Sequence, residues 1–162
     1  MTWPDGGVAA VAGVVGAGAV GSEFADIFNA FGTKVTLIEA LPRILPIEDA
    51  EASDVVAKSY RKRGIAVHAG ARVVKADVKQ DGVTLTLEVG GKTETVQAEK
   101  VLMAAGRAVN TEDMGLKEAG IELTDRGFIR VDYKTLQTTV PGYYAIGDVA
   151  GPPMLAHKGS RE

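Results

Sequence analysis

Val11-Ala-Gly-Val-Val-Gly-Ala-Gly-Ala-Val-Gly-Ser-Glu23 is the stretch whose reading decides that of the whole chain. Val11 to Val15 is apolar enough for a strand buried on both faces. Gly16, Gly18 and Gly21 then form G-x-G-x-x-G, and each has a physical task. Gly16 permits a tight turn, Gly18 lets the backbone approach a pyrophosphate, and Gly21 lets the following helix pack closely on the strand. The pyrophosphate would lie on the helix N-terminus, where unpaired amides and the helix dipole favour negative charge. A purely structural glycine turn is the alternative, and a chain with 20 glycines offers such turns by chance.

The flanking residues favour the dinucleotide. Val20, Phe24, Ile27, Phe28 and Phe31 recur at helical spacing, which predicts a helix burying that face, and Gly32 supplies its stop. Lys34-Val-Thr-Leu-Ile38 predicts a second strand ending in Glu39, where an acid would accept hydrogen bonds from the adenosine ribose hydroxyls. A carboxylate there repels a 2'-phosphate, so NAD is favoured over NADP. Arg43 is the nearby residue that could argue for the phosphate, and a solvated loop charge accounts for it equally simply.

The 162 residues, 46% hydrophobic and 24% charged, suffice for one ordinary core and part of a second. A formal net charge of -3 gives no footprint for nucleic acid or an anionic membrane, and the cluster Lys58, Arg61, Lys62, Arg63 falls at a predicted helix C-terminus, where the dipole explains it. With no cysteine, the chain has no disulfide, thiolate metal site or thiol nucleophile of its own. The run Val8 to Val20 is too short and too glycine-rich to cross a bilayer, and no basic segment precedes it as in a signal peptide. Residues 1–10 read as a disordered leader, and a cytoplasmic or organelle-matrix location is the default.

Further along, Ala40-Leu-Pro-Arg-Ile-Leu-Pro46 reads as a loop across the C-terminal edge of the sheet, because its prolines lack amide donors. A second helix is expected from Asp49 to Arg63, with Gly64 as its stop, and a third strand from Ile65 to His68. His68 reads as a surface residue. From Ala71 the apolar period changes to two: Val73–Val78, Val83–Val89 and Thr93–Gln97, separated by Asp81-Gly82 and Gly90-Gly91, predict an antiparallel meander. Val101–Ala105 then returns to the parallel sheet, which places Gly106 at its ligand-binding edge. The fold class is therefore α/β, a Rossmann-like parallel sheet with a β-meander crossover. After Arg107 the expectations are a loop and short helix over Asn110–Gly120, short strands at Phe128–Val131 and Leu136–Thr138, and an unpartnered apolar strand at Tyr143–Ile146.

Four motifs give the chain a family resemblance: Gly16-Ala-Gly-Ala-Val-Gly-Ser-Glu23; Val35-Thr-Leu-Ile-Glu39 with Arg43-Ile-Leu-Pro46; Gly106-Arg107; and Tyr144-Ala-Ile-Gly-Asp148 with Met154-Leu-Ala-His-Lys158. From Val11 to its end the chain resembles the NAD-binding region of the flavin-dependent disulfide oxidoreductases, most closely the lipoamide-reoxidising branch serving 2-oxo acid dehydrogenase complexes. The resemblance implies that Gly16, Ala17, Gly18, Ala19, Val20, Gly21, Ser22 and Glu39 hold NAD. It implies too that Val73 lies against the adenine, that Gly106 contacts NAD and that Glu23 stands near the nicotinamide. By residue type alone, Glu23 is explained as a first-turn acid favoured by the helix dipole. The resemblance also gives Asp148, Met154, Leu155, Ala156 and His157 to the FAD side; by spacing alone Asp148 reads as a turn residue and His157 as a helix-end histidine.

The implied layout is an NAD-binding domain over residues 11–107 and a partial FAD-binding segment over 108–162. The implied reaction carries electrons from dihydrolipoamide through a disulfide and FAD to NAD, in a full-length homodimer. Two departures qualify it. Where the family follows Gly106-Arg107 with a second arginine and a proline, this chain has Ala108-Val109. The family's first FAD fingerprint, cysteine pair and catalytic histidine and glutamate have no match here, so the chain reads as an interior fragment without dehydrogenase activity and with weak FAD binding at most. NADH peroxidase, coenzyme A disulfide reductase and mercuric reductase types share such a domain, and a non-enzymatic NAD-binding module or fragment is the reading from another class.

Overall fold

The computed structural model describes residues 9–162. Its elements in chain order are β1 (Val11–Val15), α1 (Ala19–Ala30), β2 (Lys34–Glu39), α2 (Ala50–Lys62) and β3 (Ala66–Ala69). The meander β4 (Ala71–Lys79), β5 (Gly82–Val89) and β6 (Lys92–Ala98) follows, then the return strand β7 (Lys100–Met103). The parallel sheet has the order β3-β2-β1-β7, and β4-β5-β6 form a separate antiparallel sheet.

Successive strand residues point to opposite faces, and here both faces are covered. Val14 and Leu37 pack with Phe28, Ala57, Tyr60 and Ile65 on the helical side, whereas Val15 and Ile38 pack with Ala71, Leu85 and Leu87 of the meander. This double burial explains the continuous apolar runs of β1 and β2. Gly13 belongs to the same packing, since a Cβ there would lie 3.4 Å from Leu85 Cδ1.

Two expectations in this part are corrected. The buried face of α1 is Gly21, Ser22, Ala25 and Phe28, while Val20, Ile27 and Phe31 are exposed. The helix lies so close to the strand turn that small residues, not the bulky apolar stripe, must face it. The leader of residues 1–10 lies largely outside the described residues, but Ala9 and Ala10 belong to the fold. Ala9 is buried, its carbonyl accepts from Thr33 Oγ1 at 2.8 Å, and the Ala10 carbonyl accepts from the Lys34 amide at 2.8 Å.

The chain divides into two compact units, one ending at Gly106 and the other spanning Arg107–Glu162. The second gathers around Ile121, Ile129, Ala145 and Ala150 and is built mainly from turns. The helix expected within Asn110–Gly120 is absent: Asp113, Gly115 and Gly120 all have positive φ, which a right-handed helix does not admit. The expected strands at Phe128–Val131, Leu136–Thr138 and Tyr143–Ile146 shrink to single bridges, Leu123 with Ile129, Val131 with Thr138 and Gln137 with Tyr144. Tyr144 thus pairs within this unit. After a 3-10 turn at Gly147–Ala150 comes the short helix α3 (Ala156–Arg161). No helix among the described residues is long and apolar enough to cross a membrane.

Candidate functional site

At the C-terminal ends of β1, β2 and β7 a cleft of about 360 Å³ opens within the first unit. Gly16 and Gly18 of the turn, Glu39 at the end of β2, Val73 on β4 and Gly106 after β7 all line it. Residues distant in sequence converge here because parallel strands end on one edge.

The three glycines differ in what they do. Gly16 has φ +95°, its amide donates to the Ile38 carbonyl at 2.8 Å, and a Cβ there would sit 2.5 Å from the Ala104 carbonyl oxygen. A Cβ on Gly21 would lie 1.8 Å from the Gly16 carbonyl oxygen, so Gly21 sets how closely α1 meets the turn. Gly18 is in ordinary extended backbone with nothing within 4 Å of a Cβ position, which leaves space for a ligand against the main chain.

Gly18 is also the N-cap of α1 and supplies no side-chain cap. The contrast with α2 is instructive, because there the Asp49 carboxylate accepts from the amides of Glu51 and Ala52. One helix start is closed by its own residue; the start facing the cleft presents amides without a capping side chain, as an anionic group requires. The first turn of α1 contains no acid. Glu23 falls in the second turn and is exposed, so the first-turn dipole explanation does not apply to it. Ala19 and Val20 are exposed at the helix start; Ser22 is buried and its hydroxyl donates to the Ala17 carbonyl at 3.2 Å.

Glu39 is 8% exposed, and its carboxylate already has two partners. Oε2 accepts from the Ala17 amide at 2.7 Å and Oε1 from the Leu41 amide at 2.9 Å. One side chain thereby ties the glycine turn to the loop after β2. A carboxylate offers about four acceptor positions, so two remain for donors such as ribose hydroxyls. The buried Ala17 holds the turn through the same amide.

Sequence reasoning laid the loop from Ala40 to Pro46 across this edge but did not single out Ala40, Leu41 and Pro46, or Ala71 and Ala105, as the wall of the cleft. The prolines mark a loop, but what shapes it is tertiary: the Leu45 amide donates to the Ala17 carbonyl at 2.7 Å, the Gly70 amide to the Leu41 carbonyl at 2.8 Å, and Ser53 Oγ to the Ile44 carbonyl at 2.6 Å. Leu45 is held at φ +46° by this arrangement. Arg43 directs its guanidinium to the carbonyls of Pro46 and Glu48, at 3.3 and 3.4 Å, and so curls its own loop. His68 is partly exposed, its Nδ1 3.9 Å from Glu94 Oε2.

In the second unit, Asp148 is exposed on the 3-10 turn, Leu155 is the N-cap of α3, Ala156 and His157 begin that helix, and Met154 is half-buried before it. Among the described residues no three His, Cys, Asp or Glu side chains gather as metal ligands.

Over residues 6–162 the chain matches the family described as pyridine nucleotide-disulphide oxidoreductase. It is 45% identical over 151 residues to the dihydrolipoyl dehydrogenase of Thermus scotoductus and 41% identical over 150 residues to that of Bacillus subtilis, in each case over 92% of this chain and 32% of the relative. The chain thus spans about a third of the length of the curated relatives it matches. Among solved structures it is similar to LpdA from Mycobacterium tuberculosis, with a TM-score of 0.85 and 31% identity over 96% of this chain and 33% of that one. It is also similar to the HOCl-induced flavoprotein disulfide reductase RclA from Escherichia coli, with a TM-score of 0.84 and 32% identity over 94% of this chain and 34% of that one.

Proposed function

This chain belongs to the pyridine nucleotide-disulphide oxidoreductase family, and on that premise we propose that it is the NAD-binding region of a dihydrolipoyl dehydrogenase. In this reading residues 11–107 bind NAD and residues 108–162 supply part of an FAD site. The observation that carries it is the cleft where Gly16, Gly18, Glu39, Val73 and Gly106 meet beside the uncapped start of α1. Relatives named dihydrolipoyl dehydrogenase at 40–45% identity over 92% of this chain support the lipoamide branch.

NAD supplies hydride chemistry when bound, and this chain's residues hold and orient it. The first-turn amides of α1 receive the pyrophosphate, the free lone pairs of Glu39 accept from the adenosine ribose, and Val73 offers an apolar wall to the adenine. Glu39 disfavours a 2'-phosphate by charge, and Arg43, which does not line the cleft, turns its guanidinium to loop carbonyls. The uncapped helix start, the space at Gly18 and the spare lone pairs of Glu39 all fit the cofactor. For FAD the fit is partial: Asp148 and the segment from Met154 to His157 offer one exposed carboxylate and one short helix start, without a second glycine fingerprint in the sequence.

The reading carries with it FAD, a homodimer, a lipoyl-bearing 2-oxo acid dehydrogenase complex and a cytoplasmic location for the whole enzyme. Thiol–disulfide exchange needs sulfur, and this chain has no cysteine. Dihydrolipoamide-dependent NADH formation by the purified chain is therefore expected to be nil.

Calorimetric titration with NAD, NADH and NADP tests the proposal. Saturable binding of NAD or NADH, weaker for NADP, is the expected result. No binding of any dinucleotide by a chain that circular dichroism shows to be folded would overturn it.

A further inference from the structure

Lys158 and Glu162, on and just after α3, are directed back onto the turn that carries Asp148. Lys158 Nζ donates to the Gly147 carbonyl at 3.3 Å and to the Gly151 carbonyl at 3.1 Å, so one ammonium group brackets the whole 3-10 turn. Glu162 completes the bracket: its Oε2 accepts from the Gly147 amide at 2.7 Å while its Oε1 lies 3.0 Å from Lys158 Nζ. The two side chains are 15% and 16% exposed, low for an ion pair so near the surface. The helix can come this close because residue 159 is glycine; a Cβ there would be 3.1 Å from Gly147 Cα. Gly147 and Gly151, at the start and just past the end of the turn, both have positive φ, which glycine adopts without a Cβ penalty.

We propose that Lys158 and Glu162 are positioning residues, a charged clamp that fixes Asp148 relative to the segment from Met154 to His157. The proposal rests on the reading of those residues as the flavin side. Val149 and Ala150 anchor the turn in the core of the second unit, whereas no residue of α3 is buried and Leu155, Ala156 and His157 are exposed. A ligand contacting both meets them preorganised only if something joins them, and the clamp is that joint. The Gly147 amide first, and then Lys158, hold the Glu162 carboxyl below the usual carboxylate range, as expected of an acceptor used in its charged form.

Amide hydrogen exchange and chemical shifts, measured by NMR on the chain without ligand, test the clamp. Glu162→Ala should speed exchange at the Gly147 amide roughly tenfold and move the Asp148 resonances, because a charge-assisted bond is removed. Glu162→Gln keeps an acceptor for that amide and should restore most of the protection, whereas loss of α3 stability alone would not separate the two variants. Lys158→Met should move the Asp148 resonances in the same direction. Unchanged Gly147 exchange in Glu162→Ala, or equal effects of Ala and Gln, would overturn the proposal. No flavin is needed for this measurement. Failure of FAD to shift the Asp148 and His157 resonances of the wild-type chain would instead count against the flavin reading alone.

Discussion

Glu39 holds two backbone amides and, in the proposed reading, also meets the ribose, so simple deletion cannot separate the two tasks. Two backbone amides converge on it, and only a group with two acceptor oxygens satisfies both. Glu39→Gln turns an NH2 toward one of those amides, so stability should fall by about 1–3 kcal/mol in urea denaturation, with NAD affinity falling as well. A lower affinity without any stability loss would mean that the carboxylate serves the ligand only. The glycines separate the two tasks more cleanly. Gly16→Ala forces a side chain at φ +95° into the Ala104 carbonyl and should cost about 2–4 kcal/mol by the same measurement. Gly18→Ala meets no atom within 4 Å and loses only the N-cap preference for glycine over alanine, so stability should fall by no more than about 1 kcal/mol while NAD binding weakens in calorimetry.

At the level of elements, the two helices are joined by a small polar network as well as by their core. Tyr60 of α2 donates its buried hydroxyl to the Ser22 carbonyl of α1 at 2.8 Å, and Arg63 pairs with Asp26 while stacking over the Tyr60 ring. Burial first, and then the Asp26 charge, push the Tyr60 phenol above its ordinary value. A raised pKa means that the stability it contributes is fully present below the ordinary phenol value of about 10 and is lost as pH rises through the folded value. Tyr60→Phe should therefore be less stable than wild type by about 1 kcal/mol near neutral pH, and the gap should narrow above about pH 10. Urea midpoints at the two pH values check this. The cap of α2 gives a control: Asp49→Ala should cost about 1 kcal/mol without altering NAD affinity, since Asp49 does not line the cleft.

For the whole molecule, the division at Gly106 bears directly on function. Every residue lining the cleft belongs to the first unit, so a chain ending at Gly106 should fold and titrate with NAD as the longer chain does. Unfolding of the shortened chain, or loss of binding by it, would show that the second unit supports the site. Exposed apolar side chains occur in both units, Val20, Ile27 and Phe31 along α1 and Tyr133, Tyr143, Tyr144 and Ile146 in the second. Surfaces of this kind favour association. Sedimentation velocity should show the weight-average mass of the chain rising with concentration.

Most of the first unit was legible in the sequence because its signals are local. Apolar runs, glycine spacing, the Asp49 cap and the change of period at Ala71 reflect interactions within one element or between neighbours, and they predicted the strands, helices and meander within a few residues. The second unit was not, because its short apolar runs meet only single bridge partners and the positive φ of Asp113, Gly115 and Gly120 breaks the helical pattern expected over Asn110–Gly120. Nor could spacing find which face of α1 is buried, since that depends on how closely the helix approaches the Gly16 turn. The sequence by itself determined the strand, turn, helix and acid of a dinucleotide unit, which are matters of backbone conformation and local polarity. Tertiary structure alone decided that Glu39 would reach the Ala17 amide 22 residues away, that Ala40, Leu41 and Pro46 would wall the cleft, and that Lys158 and Glu162 would close on Gly147. Those partners meet only after the chain has folded back on itself, and the residue types alone do not encode which atoms will be within reach.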